Sequence, residues 1–484
     1  MKSHQPTKMY TKENRSPRRR PTGRFEGSLR QAQGERNNPS TQPFGLLSGR
    51  TGKIASFHNG LIALKSSLLS LLGFSFALLA IDNPHFWRAT NFLPQFYEPR
   101  LERSWLSSLD VAFGTGATKQ ARNGMGNKVP LGDIYGTYNM RLLGQNVPGK
   151  NLALLEDALL MQLSAIPAND GFGQLSFNAK FKIKEINFSF TQNINCGFFV
   201  QAHLPVRWIN ISEIAHTDLS PATSTTGADQ SNPIWQSFLI NFSAILKKYN
   251  LSIAPIAKRG VGDLSILFGW TNNYEDTQEI DYFDTTFRAG VLIPTGQKKN
   301  ENLVFDIANG YNGHFAIPVS FDFAVGWYDW LTIGAHFGAM TFFQKTHTLR
   351  LKTDCAQSGL IALAQGKAHL TPGTLWELNA YVKADHMVCG LSLLLGYSFA
   401  NKSADSVQAL DQTIFTPSIL ASDEQFLGWK MHTLQFLADW DFASYEHPCY
   451  PHIGGFYNFI VGGKRIFNTN MIGFEAGVHC GWVF

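Results

Sequence analysis

Asn470-Met471-Ile472-Gly473-Phe474-Glu475-Ala476-Gly477-Val478-His479-Cys480-Gly481-Trp482-Val483-Phe484 ends the sequence on a strict alternation. Ile472, Phe474, Ala476, Val478, Cys480, Trp482 and Phe484 are apolar, while the residues between them are mostly small or ionisable. Successive side chains of a strand point to opposite faces, so the stretch reads as a β-strand with one continuous apolar face. A helix could not sort the two sets this way. In an ordinary sheet such a face belongs to a core and needs a covering layer. A face that stays apolar up to a terminal Phe suits direct contact with lipid instead.

This ending resembles the final strand of bacterial outer-membrane β-barrels. The resemblance implies residence in the cell outer membrane, with its lipid bilayer as a partner, and makes Trp482 and Phe484 a signal read by the barrel-assembly machinery. Composition points the same way. Charged residues are only 16% of the 484, whereas Gly (43), Phe (38), Tyr (14) and Trp (11) are plentiful. That balance suits strands that meet lipid on one side and water on the other. The mean hydropathy of −0.11 fits as well, because alternation cancels in the average. Much of the net charge of +5 sits in the first fifty residues, so nucleic acid is not an expected partner. Five cysteines, Cys196, Cys355, Cys389, Cys449 and Cys480, are widely spaced and suggest neither a metal site nor an obligatory disulfide framework.

Residues 1–60 are basic and polar around Arg18-Arg19-Arg20 and read as a disordered extension. Residues 61–81 contain Ser66 to Ala80, an apolar run behind Lys65 with the length of a signal-peptide core and short for a spanning helix. Its depth in the chain suggests that the true start lies near residue 60; an uncleaved anchor is the alternative. Residues 82–484 read as the barrel with long external loops.

Within that region the expected strands are Ser107–Gly114, Gln174–Ile194, Gly197–Trp208, Val261–Thr271, Tyr282–Ile293, Phe315–Trp327, Leu331–Lys345, Thr374–Asp385, Val388–Ala400, Trp429–Phe442, Ile453–Gly463 and Asn470–Phe484. The fold class is therefore an all-β transmembrane antiparallel barrel of about 12 strands, with 14 as the alternative. Short helices are expected in 150–163 and 233–249. In Gln174–Ile194 the apolar phase moves by one residue after Glu185, which predicts a β-bulge. Pro205 predicts a bulge or an end to pairing. Short turns at 193–196, 328–330 and 386–387 fall on one side, and the long loops 209–260, 294–313, 346–373 and 401–427 on the other. Aromatics such as Trp270, Tyr274, Trp327, Tyr328, Trp330, Trp429 and Trp440 cluster at strand ends, as in interfacial girdles.

The face opposite the apolar one should line the lumen. On the earlier strands it holds Lys180, Lys182, His203, Arg207, Asp284 and Arg288; on the later ones, Asp322, His336, Glu377, Lys383, Asp439, Glu475 and His479. With both signs present, mutual pairing across a wet interior is expected, and a selective constriction is the sharper alternative. No GxSxG elbow, HExxH or cofactor motif occurs, so the chain does not read as an enzyme and calls for no cofactor.

Gly260-Val261-Gly262-Asp263-Leu264-Ser265, followed by Gly290-Val291-Leu292-Ile293-Pro294-Thr295-Gly296, is similar to the outer-membrane barrels associated with meta-pathway phenol degradation, where GxGDL precedes a strand ending in PTG. That resemblance covers about forty residues and implies movement of small, often hydrophobic solutes. The expectation is a channel or transporter for passive passage of small solutes, with a non-conducting structural or adhesive surface barrel as the alternative.

Overall fold

The computed structural model describes residues 106–167, 171–275, 280–328, 330–388, 390–442 and 449–481. The basic extension, the apolar segment within 61–81, Cys389, and Trp482 and Phe484 lie outside the described residues. Twelve long strands form the wall. They are β1 (Leu106–Thr118), β2 (Gln174–Asn193), β3 (Phe198–Asp218), β4 (Leu264–Glu275), β5 (Tyr282–Ile293) and β6 (Ala316–Trp327). There follow β7 (Leu331–Phe342), β8 (Leu375–Val388), β9 (Leu391–Lys402), β10 (Trp429–Asp441), β11 (Cys449–Lys464) and β12 (Met471–Gly481).

Each strand pairs antiparallel with its neighbours in sequence, and β1 pairs with both β2 and β12, so the sheet closes. Closure leaves no free edge. Every expected strand corresponds to one of the twelve, and the alternative of fourteen is not realised. Among the described residues no helix is long and apolar enough to cross a membrane.

The alternation read from the sequence decides which way each side chain faces. Phe188, Phe190, Phe268, Phe287, Phe321, Phe323, Phe337, Leu395, Phe436 and Phe474 are all exposed on the outside. An apolar surface that runs round the whole wall suits lipid and not water. Trp270, Tyr274, Trp330 and Trp440 lie at its short-turn end. Trp429 does not join them, because it falls on the inward face and packs beside Leu375 and Met431.

β2 and β3 are 20 and 21 residues long, about twice what a membrane crossing needs. Their upper halves rise into a cap over the long-loop end. Phe177, Phe181, Ile209 and Ile211 point inward there and join Tyr138, Trp235, Phe238, Phe242 and Phe305 in the largest buried apolar cluster. Helices α1 (Leu155–Ala165) and α2 (Pro233–Lys248) pack against each other in it. Asn232 caps α2 by accepting from the amides of Ile234 and Trp235 at 3.0 and 3.2 Å. Lys247 and Lys248 complement the dipole at its other end.

Three expectations need correction. No bulge occurs at Glu185: the β1–β2 register is continuous through Ile183, Lys184, Glu185 and Ile186. What changes there is the surroundings of the strand, from lipid outside to water outside. A register shift does occur higher up, opposite Asn178 to Lys180, where Glu213 of β3 adopts φ 55°. The polar loop expected from residue 209 starts later, since β3 runs on to Asp218 with Asn210 and Ser212 facing out above the lipid. The loops 346–373 and 401–427 also contain a small antiparallel sheet of Lys345–Arg350, Gln365–Thr371 and Ser406–Ala409. Its core is Leu349, Leu370, Phe415 and Leu420.

Pro205 marks a change of partner. Below it β3 pairs with β4, and above it with the short strand Ile256–Val261. The amide of Gly262 donates to the Pro205 carbonyl at 2.7 Å, at the junction.

The cysteines also depart from expectation. Cys449 and Cys480, register partners on β11 and β12, form a disulfide on the outer face. Their separation of 31 residues has no recognisable spacing, which is why the pairing could not be read. Cys196 and Cys355 are free.

Candidate functional site: a polar lumen beneath a pinned loop

Inward-facing side chains gather into two polar groups on opposite walls. The first spans β3, β5, β6 and β7. Arg288 donates through Nε to Gln201 Oε1 at 3.0 Å and through a second nitrogen to Asp322. Asp322 also meets His336 Nδ1 at 2.5 Å. Arg288 is buried, Asp322 is half-buried and the two charges are paired, which is the condition for keeping them inside a wall.

The second group spans β1, β10, β11 and β12. His452 lies between two carboxylates, 2.9 Å from Asp110 Oδ1 and 3.2 Å from Asp439 Oδ1. His479 stands 3.9 Å from Asp110, and Glu475 lies near Asp439 and His452. Glycine makes the convergence possible: a Cβ on Gly477 would sit 2.0 Å from Asp110 Oδ1 and 2.2 Å from His452 Nε2. Asp110, His452 and His479 each offer one ligand atom within 4.8 Å of the others, as do Asp439, His452 and Glu475. Such oxygen and imidazole donors suit a divalent transition metal. Both ring nitrogens of His452 already meet carboxylates, so this imidazole is satisfied without an ion.

Between these walls and the cap, a long loop folds inward. Asp306, Ile307, Asn309, Asn312 and His314 are buried although no strand contains them. The GxGDL and PTG stretches hold this loop together. Asp263 accepts from the amides of Gly296 at 2.8 Å and Tyr311 at 2.5 Å. Thr295 Oγ1 donates to the Gly262 carbonyl at 2.7 Å and accepts from the Leu264 amide at 3.0 Å. Gly310 passes so close that a Cβ would lie 2.2 Å from Asp263 Oδ2. Arg207, paired with Glu185, reaches the Asn309 carbonyl. Lys258 holds Asp306 at 2.7 Å and the Ile307 carbonyl at 2.8 Å. The motif is therefore a latch. It ties the start of β4 to both ends of one loop.

The cap above is tied by charge as well as by apolar packing. Burial opposes the negative charge of Asp157, but hydrogen bonds from Lys248, Tyr249 and the Asn151 amide outweigh it and pull its pKa below the ordinary carboxylate value. Arg350 donates to the carbonyls of Tyr249, Asn250 and Leu363 at 2.8, 3.0 and 2.7 Å, joining the end of α2 to the small sheet.

Of the residues expected in the lumen, His203, Arg207, Arg288, Asp322, His336, Glu377, Asp439, Glu475 and His479 point inward within these groups or beside them. Asp284 and Lys383 also face inward, and Lys383 pairs with Asp385 at 2.6 Å near the short-turn end. Lys180 and Lys182 do not. They lie on the outer face of β2, opposite the buried Phe181 and Ile183, and Lys180 pairs with Glu213 at 2.8 Å. The lipid-out template fails for them because they stand above the lipid. Asp110, Glu185, Asn309 and His452 escaped the sequence reading, and Asp263 entered it only as part of its motif. For Asp110 the signal was present, since it sits on the polar face of the first expected strand; His452 lies just before the expected start of its strand.

No protein-family model and no curated protein matches the chain. Solved structures with a similar course include an outer-membrane channel from Pseudomonas putida F1, at 8% identity and TM-score 0.41, covering 78% of this chain and 95% of that one. A Pseudomonas aeruginosa FadL homologue matches at 10% identity and TM-score 0.28, covering 78% and 91%. The translocator domain of the autotransporter NalP from Neisseria meningitidis matches at 8% identity and TM-score 0.28, covering 89% and 98%. At these values the likenesses say nothing about cargo, and the barrel rests on its own strand pairing.

Proposed function

We propose that the chain is an outer-membrane channel for passive passage of small solutes, with its long-loop end outside. The observation that supports this is the latch: Asp263 holds both ends of a loop that folds in between charged walls, where it would narrow a pore. The lumen-lining role of the inward charges, from His203 and Arg288 to Glu475 and His479, belongs to this reading. So does recognition of Trp482 and Phe484 by the barrel-assembly machinery, and transport in place of catalysis. Kinship with the phenol-degradation barrels is its finest form, supported by the Asp263 and Thr295–Gly296 stretches alone.

The second reading, a non-conducting surface barrel, is favoured by the apolar core that α1 and α2 build over the mouth. Liposome swelling with sugars, amino acids and aromatic acids separates the two. Swelling with at least one solute is expected, and Asp263→Ala, which frees the loop, should accelerate it several-fold. Folded protein that is impermeable in both forms would sink the channel.

A further inference from the structure

The outer wall carries a feature that solute passage does not use. Lys184, Trp208 and Arg259 are register partners on β2, β3 and Ile256–Val261, and all three side chains are exposed on the outer face. One row higher, Lys182 stands beside Asn210. One row lower, Ile186 pairs with Val206, and Phe113 of β1 pairs with Ile186. A groove of about 830 Å³ runs across these rows. Its floor is apolar and its upper edge is cationic.

Charge sets this edge apart from the rest of the wall. Lys119 and Lys180, higher still, share Glu213 at 2.6 and 2.8 Å. Among the described residues no carboxylate pairs with Lys182, Lys184 or Arg259. The three cations stand where the lipid-facing belt ends, next to a tryptophan of the kind that sits at headgroup depth. Anionic headgroups lie at that depth and attract basic side chains there.

We infer that this groove binds a phosphorylated lipid headgroup of the leaflet at the long-loop end, with Lys182, Lys184 and Arg259 holding phosphate and Phe113, Ile186 and Trp208 receiving the acyl chains. Guanidinium and ammonium groups are the usual phosphate donors, and an occupant that is both anionic and apolar matches both halves of the groove. A free anion would leave the apolar floor unused.

The inference rests on the bilayer placement proposed above, and the test separates them. The protein refolded in a neutral detergent is first checked for faster gel migration unboiled than boiled. It is then titrated with a bis-phosphorylated glycolipid, with the same lipid after dephosphorylation, and with inorganic phosphate. The phosphorylated lipid should bind at least tenfold more tightly than the dephosphorylated one, and millimolar phosphate should not displace it. The triple variant Lys182→Gln, Lys184→Gln, Arg259→Gln should lose at least tenfold in affinity while keeping the gel shift and the swelling rate. Lys119→Gln with Lys180→Gln should leave binding unchanged. Equal binding of both lipids, displacement by phosphate, or an equal loss in the control pair would overturn the site in a barrel that still folds. A protein that shows no gel shift and needs no detergent would overturn the bilayer placement itself.

Discussion

Below Lys184, β2 places Phe188 and Phe190 outside and Glu185, Asn187, Ser189 and Thr191 inside; above it, the same strand places Lys180 and Lys182 outside and Phe177 and Phe181 inside. β3 makes the same exchange across Trp208, with Val206 out and Arg207 in below, and Asn210 out and Ile209 in above. No register slip separates the halves at that level. The backbone is one object in two solvents. A strand in lipid hides its polar face, and the same strand in water hides its apolar one, so the sequence pattern inverts while the geometry continues.

The sharpest way to break this comparison is to truncate inside the cap. Phe177 is fully buried, and Phe177→Ala should cost ~3–5 kcal/mol by urea unfolding of the cap. A loss below ~1 kcal/mol would mean that the upper halves enclose no real core. Next in size, Phe188→Lys places a charge near the middle of the lipid belt and should cost ~2–4 kcal/mol, read as the urea midpoint of the refolded barrel. Asn178→Lys, on the same outer face above the belt, should stay within ~0.5 kcal/mol of the parent. Similar costs at both positions would remove the boundary at Lys184.

The effect that is smallest near neutral pH lies within the cap. Burial, and then the nearby His314, Lys345 and Lys298, push the imidazole of His347 down to about 3. His347 Nε2 lies 3.0 Å from His314 Nε2. Above pH ~6.5 His347 is neutral folded or unfolded; as pH falls from there toward about 3, the unfolded segment binds a proton that the folded one refuses, and stability is lost. Hydrogen exchange should therefore show the amides of Lys345–Arg350 losing protection on acidification beyond the intrinsic rate change. His347→Gln should flatten that response, and an unchanged response would assign it to another group.

Alternation alone made the twelve strands legible, because lipid on one side and polar lumen on the other leave a period of two in every crossing. The inward positions of Asp322, His336, Glu377 and Asp439 followed from the same rule. It failed where the rule assumed one solvent throughout: Lys180 and Lys182 were assigned to the lumen, and the switch at Glu185 was taken for a bulge. The loop latch was half visible. Asp263 stood in a recognisable motif, but its partners, the Gly296 and Tyr311 amides, are backbone groups to which sequence gives no address. The Cys449–Cys480 bond and the small sheet in the cap depend on which distant segments meet, and periodicity carries no information about that.

His452 and Asp110 are 342 residues apart in sequence, and they meet at 2.9 Å across β12, near the line where the first and last strands join. In a sheet that has not yet closed, the wall between them is unfinished. Asp110 then has no imidazole, and His452 has Asp439 alone. Charges left in that condition inside a bilayer are costly, and pairing them requires strands in register from both ends of the chain. The seam is therefore complete only when both ends of the chain have joined the wall. A barrel closed out of register would hold Asp110 and His452 apart, and each charge would lack the partner that the finished wall supplies.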